Sequence, residues 1–306
     1  MTAESAAARH TFDRPVLGIG CKLAATLLFA VMFAAIRWLG PLFPVGEIVF
    51  FRSVLGAVVV VSAALATGGP SLLATSNIRS HALRSSAGTI AMFCNFAAYT
   101  LLPLADATAI GFAAPLFVVM MAALFLAEHV HIIRWSAVVL GFAGVILIAG
   151  PEAGLSRSAF YGALFALSGA ALQGIAMILI RRMSAYEHSI TIAFYFMLTS
   201  AAVSVLTAWS GWQLPHASEW AVLLLTGIAG GIGQLFLSFS YRYSEASVLA
   251  PFDYAAMIWA VILGYFVFGE LPAPQVWIGG AIVIAAGLLI LWRERILQKQ
   301  RMARAK

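Results

Sequence analysis

The chain has 306 residues, 62% of them hydrophobic and only 10% charged, with a mean hydropathy of +0.97 and a net charge of +6. A soluble domain carries about 25% charged residues, so this composition excludes a soluble enzyme or binding module and predicts an all-α integral membrane protein. The basic balance, pI about 9.6, would suit nucleic acid, but the placement of the charges argues against that partner.

Ten charge-poor runs are long enough to be spans, since about 20 apolar residues cross a hydrocarbon core as a helix. Residues 1–16 are polar, mixed in charge and without a signal-peptide layout, and are expected to form an uncleaved tail. The first span covers 17–36 and contains Lys22, and the second covers 44–66 and contains Glu47 and Arg52. A loop with Gly, Pro and Ser over 67–81 precedes the third span at 83–102. Between Asp106 and Glu128 lie 21 uncharged residues, the fourth span, with Pro115 deep inside it. An interior proline costs a soluble helix about 3 kcal/mol. In membranes it is tolerated where neighbours re-satisfy the freed carbonyl, and such breaks gather at transporter binding sites.

A short polar break, with Glu128, His129, His131 and Arg134, leads to the fifth span at 135–151. Residues 151–158 are the expected boundary between halves. The sixth span covers 159–180 and ends at Arg181-Arg182, and the seventh covers 190–209. The loop at 211–219 has aromatics suited to an interface. Spans eight, nine and ten cover 220–240, 246–268 and 276–292, and a basic tail occupies 293–306.

The second half answers the first. Asp106-Ala107-Thr108 corresponds to Glu245-Ala246-Ser247, Pro115 to Pro251, Ala127-Glu128 to Gly269-Glu270, and Trp135 to Trp277. Each half, 17–150 and 159–292, holds five spans. With an odd number, the second half enters the membrane from the opposite side, which predicts two inverted five-helix repeats. With the N-terminus in the cytoplasm, 15 of the 18 Lys and Arg lie at cytoplasmic ends, and only Arg37, Arg52 and Arg157 lie on the other side. This asymmetry predicts that both termini are cytoplasmic. It also makes the basic tail an anchor against anionic membrane lipid rather than a nucleic-acid patch.

The chain resembles the drug/metabolite transporter superfamily in its EamA-type ten-helix branch over about residues 17–292. The residues that carry the resemblance are Arg37-Trp38 with Pro44, Phe51-Arg52, the run from Pro103 to Thr108, Pro115-Leu116-Phe117, Glu128 and Arg134-Trp135. In the second half they are Ala246-Ser247, Ala250-Pro251, Gly269-Glu270 and Gly279-Gly280. The resemblance implies a bacterial-type inner-membrane transporter of a small amphipathic metabolite, such as an amino acid, riboflavin or an S-adenosylmethionine-like solute.

Charges inside spans are the sharpest site signals, because an unpaired one costs at least about 2.5 kcal/mol at mid-membrane. Arg52 lies eight residues past Pro44, too deep to be purely interfacial. It reads either as an anchor for a substrate carboxylate or phosphate, or as a fixed partner of Glu47 or of neighbouring carbonyls. Asp253, beside Pro251, reads as a coupling proton site or a salt bridge between helix ends. Helical rise puts Lys22 and Asp253 at similar depth, and intramembrane charges are usually paired, so these two are expected to interact, the other reading of Lys22 being a side chain that snorkels to the cytoplasmic surface. Glu47 lies near the outer interface and is expected to be solvated or paired with Arg37 or Arg52. A transport site is expected between the halves near Pro115 and Pro251, faced by Arg52, with Asn95, Tyr99, Tyr254 and Trp259 as stacking and hydrogen-bonding candidates. Singly, these four, like Gln173, Tyr195 and Gln234, read more simply as helix-helix contacts.

Gly227, Gly230, Gly231 and Gly233 imitate a phosphate loop but sit in an apolar span without a preceding strand, so close helix packing is expected. Cys21 and Cys94 read as packing residues. No metal, cofactor or catalytic motif is expected. The expected partners are a small-molecule substrate and membrane lipid, with a homodimer left open. Two other classes compete: a membrane-embedded enzyme, which would need a catalytic pair at one depth, and a non-transporting scaffold or chaperone.

Overall fold

The computed structural model describes residues 15–125, 132–148, 157–183, 186–244 and 246–304. Among these every regular element is helical. The first half contributes α1 (Pro15–Leu39), α2 (Val45–Thr67), α3 (Ile78–Leu101), α4 (Leu104–Gly111), α5 (Ala114–Phe125) and α6 (Ile132–Ile148). The second contributes α7 (Arg157–Met183), α8 (Ser189–Val205), α9 (Ala217–Tyr243), α10 (Ala246–Leu249), α11 (Ala255–Phe268) and α12 (Pro274–Arg304). Seven stretches are long and apolar enough to cross a membrane, and α6 and α8 are shorter apolar helices. α3 has 24 residues, about 36 Å at helical rise, with Arg79, His81 and Arg84 in its first two turns. Counting α4 with α5 and α10 with α11, the described helices make ten crossings of a multi-pass membrane protein. Large apolar side chains such as Val139, Ile146 and Phe266 point outward, as lipid allows and water would not.

Two predicted spans are broken. The fourth is interrupted between α4 and α5: the Ala113 amide donates to Ile110 O at 2.9 Å, a three-residue spacing that tightens and closes the turn. Pro115 is then the second residue of α5, where the first-turn amides have no intrahelical acceptor and its missing donor is harmless. The ninth is a short α10, a 3-10 turn over Ala250–Tyr254 that contains Pro251, and then α11. Other boundaries move too. α3 starts at Ile78, five residues before the predicted start, because Asn77 Oδ1 caps it by accepting from the Ser80 amide. α8 stops at Val205 rather than 209. The helix of α12 continues to Arg304, through most of the predicted tail.

In lipid there is little hydrophobic force between helices, so small residues that admit close approach decide which helices meet. A Cβ built on Gly227 would lie 2.2 Å from Leu55 Cβ, and one on Gly231 2.8 Å from Val59 Cβ, both on α2. Gly230 and Gly233 similarly admit Met32 and Phe29 of α1. The glycine-rich face of α9 is therefore a packing face between α1 and α2. Gly162 and Gly169 of α7 receive Leu102 and Asn95. At the α6–α12 seam a Cβ on Gly144 would lie 2.8 Å from Gly279 O, and one on Gly279 would lie 2.6 Å from Gly144 O. The main pairings are α1 with α9, α3 with α7, α6 with α12, α2 with α8 and α9, α3 with α8, and α11 with α1 and α4.

Candidate functional site

α1 is joined to the second half near both of its ends. Toward its start, Lys22 Nζ lies 2.7 Å from Asp253 Oδ1, with the lysine side chain 1% and the aspartate 49% exposed. This is the expected pair. One turn along, Trp259 Nε1 donates to Thr26 Oγ1 at 3.3 Å, so the same face of α1 meets α11. Toward its other end, Arg37 donates to the Leu102 carbonyl and to Glu270, and stacks on Phe268 at 5.3 Å. The second oxygen of Glu270 accepts from the Leu104 amide at 3.4 Å. Gly269 explains the aim of that carboxylate: with φ 68 it ends α11 in the left-handed conformation, and the Glu270 amide returns to Gly264 O at 3.0 Å. Arg37 also lines a pocket of about 440 Å³ with Trp38, Pro41, Leu42, Thr100 and Phe268.

The aromatic candidates fill helix interfaces. Tyr99 stacks on Phe33, centroids 4.1 Å apart, and its hydroxyl is 3.3 Å from Thr108 Oγ1. Asn95 sits against Gly169 of α7. Tyr254 meets Phe112 edge-on at 5.0 Å, and its hydroxyl reaches Gly287 of α12. Pro115 is half-buried. Pro251 is exposed beside the half-exposed Asp253.

Arg52 points elsewhere. Its Nη1 lies 2.9 Å from Met197 Sδ, and its Cζ lies 5.8 Å from the Phe196 ring, both on α8. A Cβ on Gly230 of α9 would be 3.1 Å from its Nε. No described contact joins Arg52 to Asn95, Tyr99, Tyr254 or Trp259, so the expected single group of site residues separates into two. Glu47 corrects a second expectation. It is buried, and its Oε2 accepts from the Gln213 amide at 3.1 Å. Arg37 takes Glu270 instead, and among the described residues Glu47 pairs with neither arginine.

The sequence reading missed Arg84, which it placed at the cytoplasmic surface. Arg84 is buried, with its Cζ 4.2 Å from the centre of the same Phe196 ring. Nearer the start of α3, buried His81 lies 3.5 Å from Glu187 Oε1 and meets the Tyr195 ring at a tilt, centroids 4.6 Å apart. Thr75 Oγ1 donates to the same Glu187 oxygen at 2.5 Å. The available signal was periodic: His81, Arg84, Ser85 and Gly88 recur at three- and four-residue spacing, on one helical face. His129 and His131 lie outside the described residues, as does Glu128, and among the described residues no cluster could hold a metal ion.

A profile of the EamA-like transporter family matches residues 16–150 and again residues 160–292. A pseudopaline exporter of Pseudomonas aeruginosa is 28% identical over 271 residues, 88% of this chain and 94% of its own. An S-adenosylmethionine uptake transporter of Rickettsia conorii is 29% identical over 279 residues, 91% and 93% of the two chains. A riboflavin transporter of Rhizobium johnstonii is 29% identical over 193 residues, 63% of each. One solved structure superimposes with a TM-score of 0.64 over 92% of this chain and 98% of its own, at 21% identity, a likeness of fold.

Proposed function

The chain belongs to the EamA-like transporter family, a transporter and not an enzyme, and from that premise we propose that it moves a small amphipathic metabolite by alternating access as a secondary-active carrier. The substrate class follows its relatives: an amino acid, riboflavin or an S-adenosylmethionine-like solute. The protein sits in a bacterial-type inner membrane with both termini cytoplasmic, and its two five-helix halves are inverted repeats. The double match of one family profile and the helix pairings support that reading. Replacing each span by its counterpart turns α1–α9 into α7–α3, α2–α9 into α8–α3, and leaves α6–α12, α2–α8 and α4–α11 unchanged.

One observation carries the mechanism. α1 is bound across to the second half by Lys22–Asp253 and by Arg37–Glu270, fifteen residues apart and therefore about 22 Å apart along the axis. A carrier needs one closure on each side of its site, and two ion pairs at opposite depths on one helix supply them. Each opens while the other holds. The test uses a single reporter thiol at Thr100→Cys beside Arg37, with Cys21 and Cys94 replaced by alanine. Glu270→Gln should make that thiol several-fold more reactive toward an impermeant reagent added outside, and Asp253→Asn should make it less reactive. Equal changes in both variants, or none, would refute the two closures.

A further inference from the structure

We infer that Arg52, Arg84 and Phe196 form a site for a small dicarboxylate, with one carboxylate on each guanidinium and the short apolar segment between them on the Phe196 ring. This rests on the transporter reading and gives it a further ligand class, a dianion, beside the solutes taken from its relatives. Both arginines are more than nine-tenths buried, at 4% and 6% exposure. Nε of Arg52, and Nε and Nη1 of Arg84, have no hydrogen-bond partner among the described residues. Nor does any described carboxylate lie within ion-pair distance of either one: the nearby acid, Glu187, is held by Thr75 and His81. Among the described residues, Arg52 donates to the Met197 thioether, a weak acceptor. Buried charges without a counter-charge are costly and rarely kept unless a ligand completes them.

The surrounding atoms repeat the message. Among the described residues, buried side-chain atoms of Ser53 on α2 and of Ser85 on α3, and Nδ1 of His81, likewise have no hydrogen-bond partner. Glycines let Arg52 and the Phe196 ring pack close against the neighbouring helix backbones. A Cβ on Gly230 would crowd Arg52 Nε at 3.1 Å, and one on Gly88 would crowd Phe196 Cε2 at 3.0 Å. Arg84 is six residues into α3 and Phe196 seven into α8, about 10 Å from those helix starts, whereas Arg52 is seven residues into α2, which starts at the other end of the bundle, so the two cations reach the Phe196 ring from opposite depths.

Charge and shape set the ligand. Two fixed cations call for two negative charges. They stand on different helices and share one aromatic ring, 4.2 Å and 5.8 Å from its centre. Two separated carboxylates match that layout better than one compact dianion, and the forked guanidinium binds each in bidentate fashion.

The experiment measures thermal unfolding of the purified full-length protein, because a ligand of the folded state raises Tm. Succinate, glutarate and adipate are compared with acetate and inorganic phosphate at matched ionic strength. At least one dicarboxylate should raise Tm saturably, and acetate should not. Arg84→Lys should weaken that response several-fold and Arg84→Gln at least ten-fold. Without ligand, Arg84→Met should raise Tm, because an unpaired buried charge is removed while the side-chain length is kept. The proposal is overturned if no dicarboxylate raises Tm, if phosphate matches the best dicarboxylate, if Arg84→Gln responds like the parent, or if Arg84→Met lowers Tm as the loss of a structural brace would. The thiol-reactivity test of the two closures is independent of all these outcomes, so transport can stand while this substrate class falls.

Discussion

The Lys22 ammonium is almost fully buried while the Asp253 carboxylate is half in solvent, so the two partners do not contribute equally. Asp253→Asn strands a buried cation from this counter-charge, a change that costs about 3 kcal/mol in buried pairs. Lys22→Met leaves a carboxylate that water can reach and should cost about 1 kcal/mol, nearer the surface-pair range. The double variant should resemble Lys22→Met alone. A double-mutant cycle of unfolding free energies checks this, and additive losses would contradict the coupling. Lys22 and Asp253 could be matched from sequence because each sits a similar number of residues from the same membrane face. Arg84 could not. A charge two turns from a helix end normally reaches water by extending its stem. Only the packing of α8 over α3 covers it, and no local pattern reports that packing. Glu47 misled for the opposite reason: its acceptor need is met by a backbone amide 166 residues away, which no charge-pairing argument finds.

At the level of helices, α9 shows how small residues choose neighbours. Gly227 is pressed against Leu55, whereas a Cβ on Gly20 of α1 would meet nothing within 4 Å. Gly227→Val should therefore destabilise by about 1–3 kcal/mol, as overpacking does, and Gly20→Ala should be tolerated. Thermal unfolding of the two variants beside the parent makes the comparison, and equal Tm values would contradict the packing account. The existence of the helices was legible because span length and apolar content are set by the bilayer. Their ends were less so. Asn77 starts α3 early by capping a first turn that carries Arg79 and His81. Pro115 and Pro251 signalled the interrupted spans, but not that Pro251 would be exposed.

At the scale of the whole molecule, the 15-to-3 distribution of Lys and Arg predicts where the ends lie. A reporter fused after residue 306 should report the cytoplasm and one in the 211–219 loop the opposite side. The same side for both would sink the ten-crossing topology. The duplication was legible because Pro115 and Pro251, and Glu128 and Glu270, keep their order across the halves. The convergence of polar groups was not, since it depends on how α2, α3 and α8 turn toward one another. The α6–α12 seam has a mechanical consequence. A Cβ on Gly144 or Gly279 would run into the other's carbonyl oxygen, and Ile148, Ile282 and Val283 close in around the crossing. For a carrier that rocks as proposed, this seam leaves the least room to slide and would act as a pivot. Displacement would then grow with distance from it, and the α2–α8 contact is built from neither of the two seam helices.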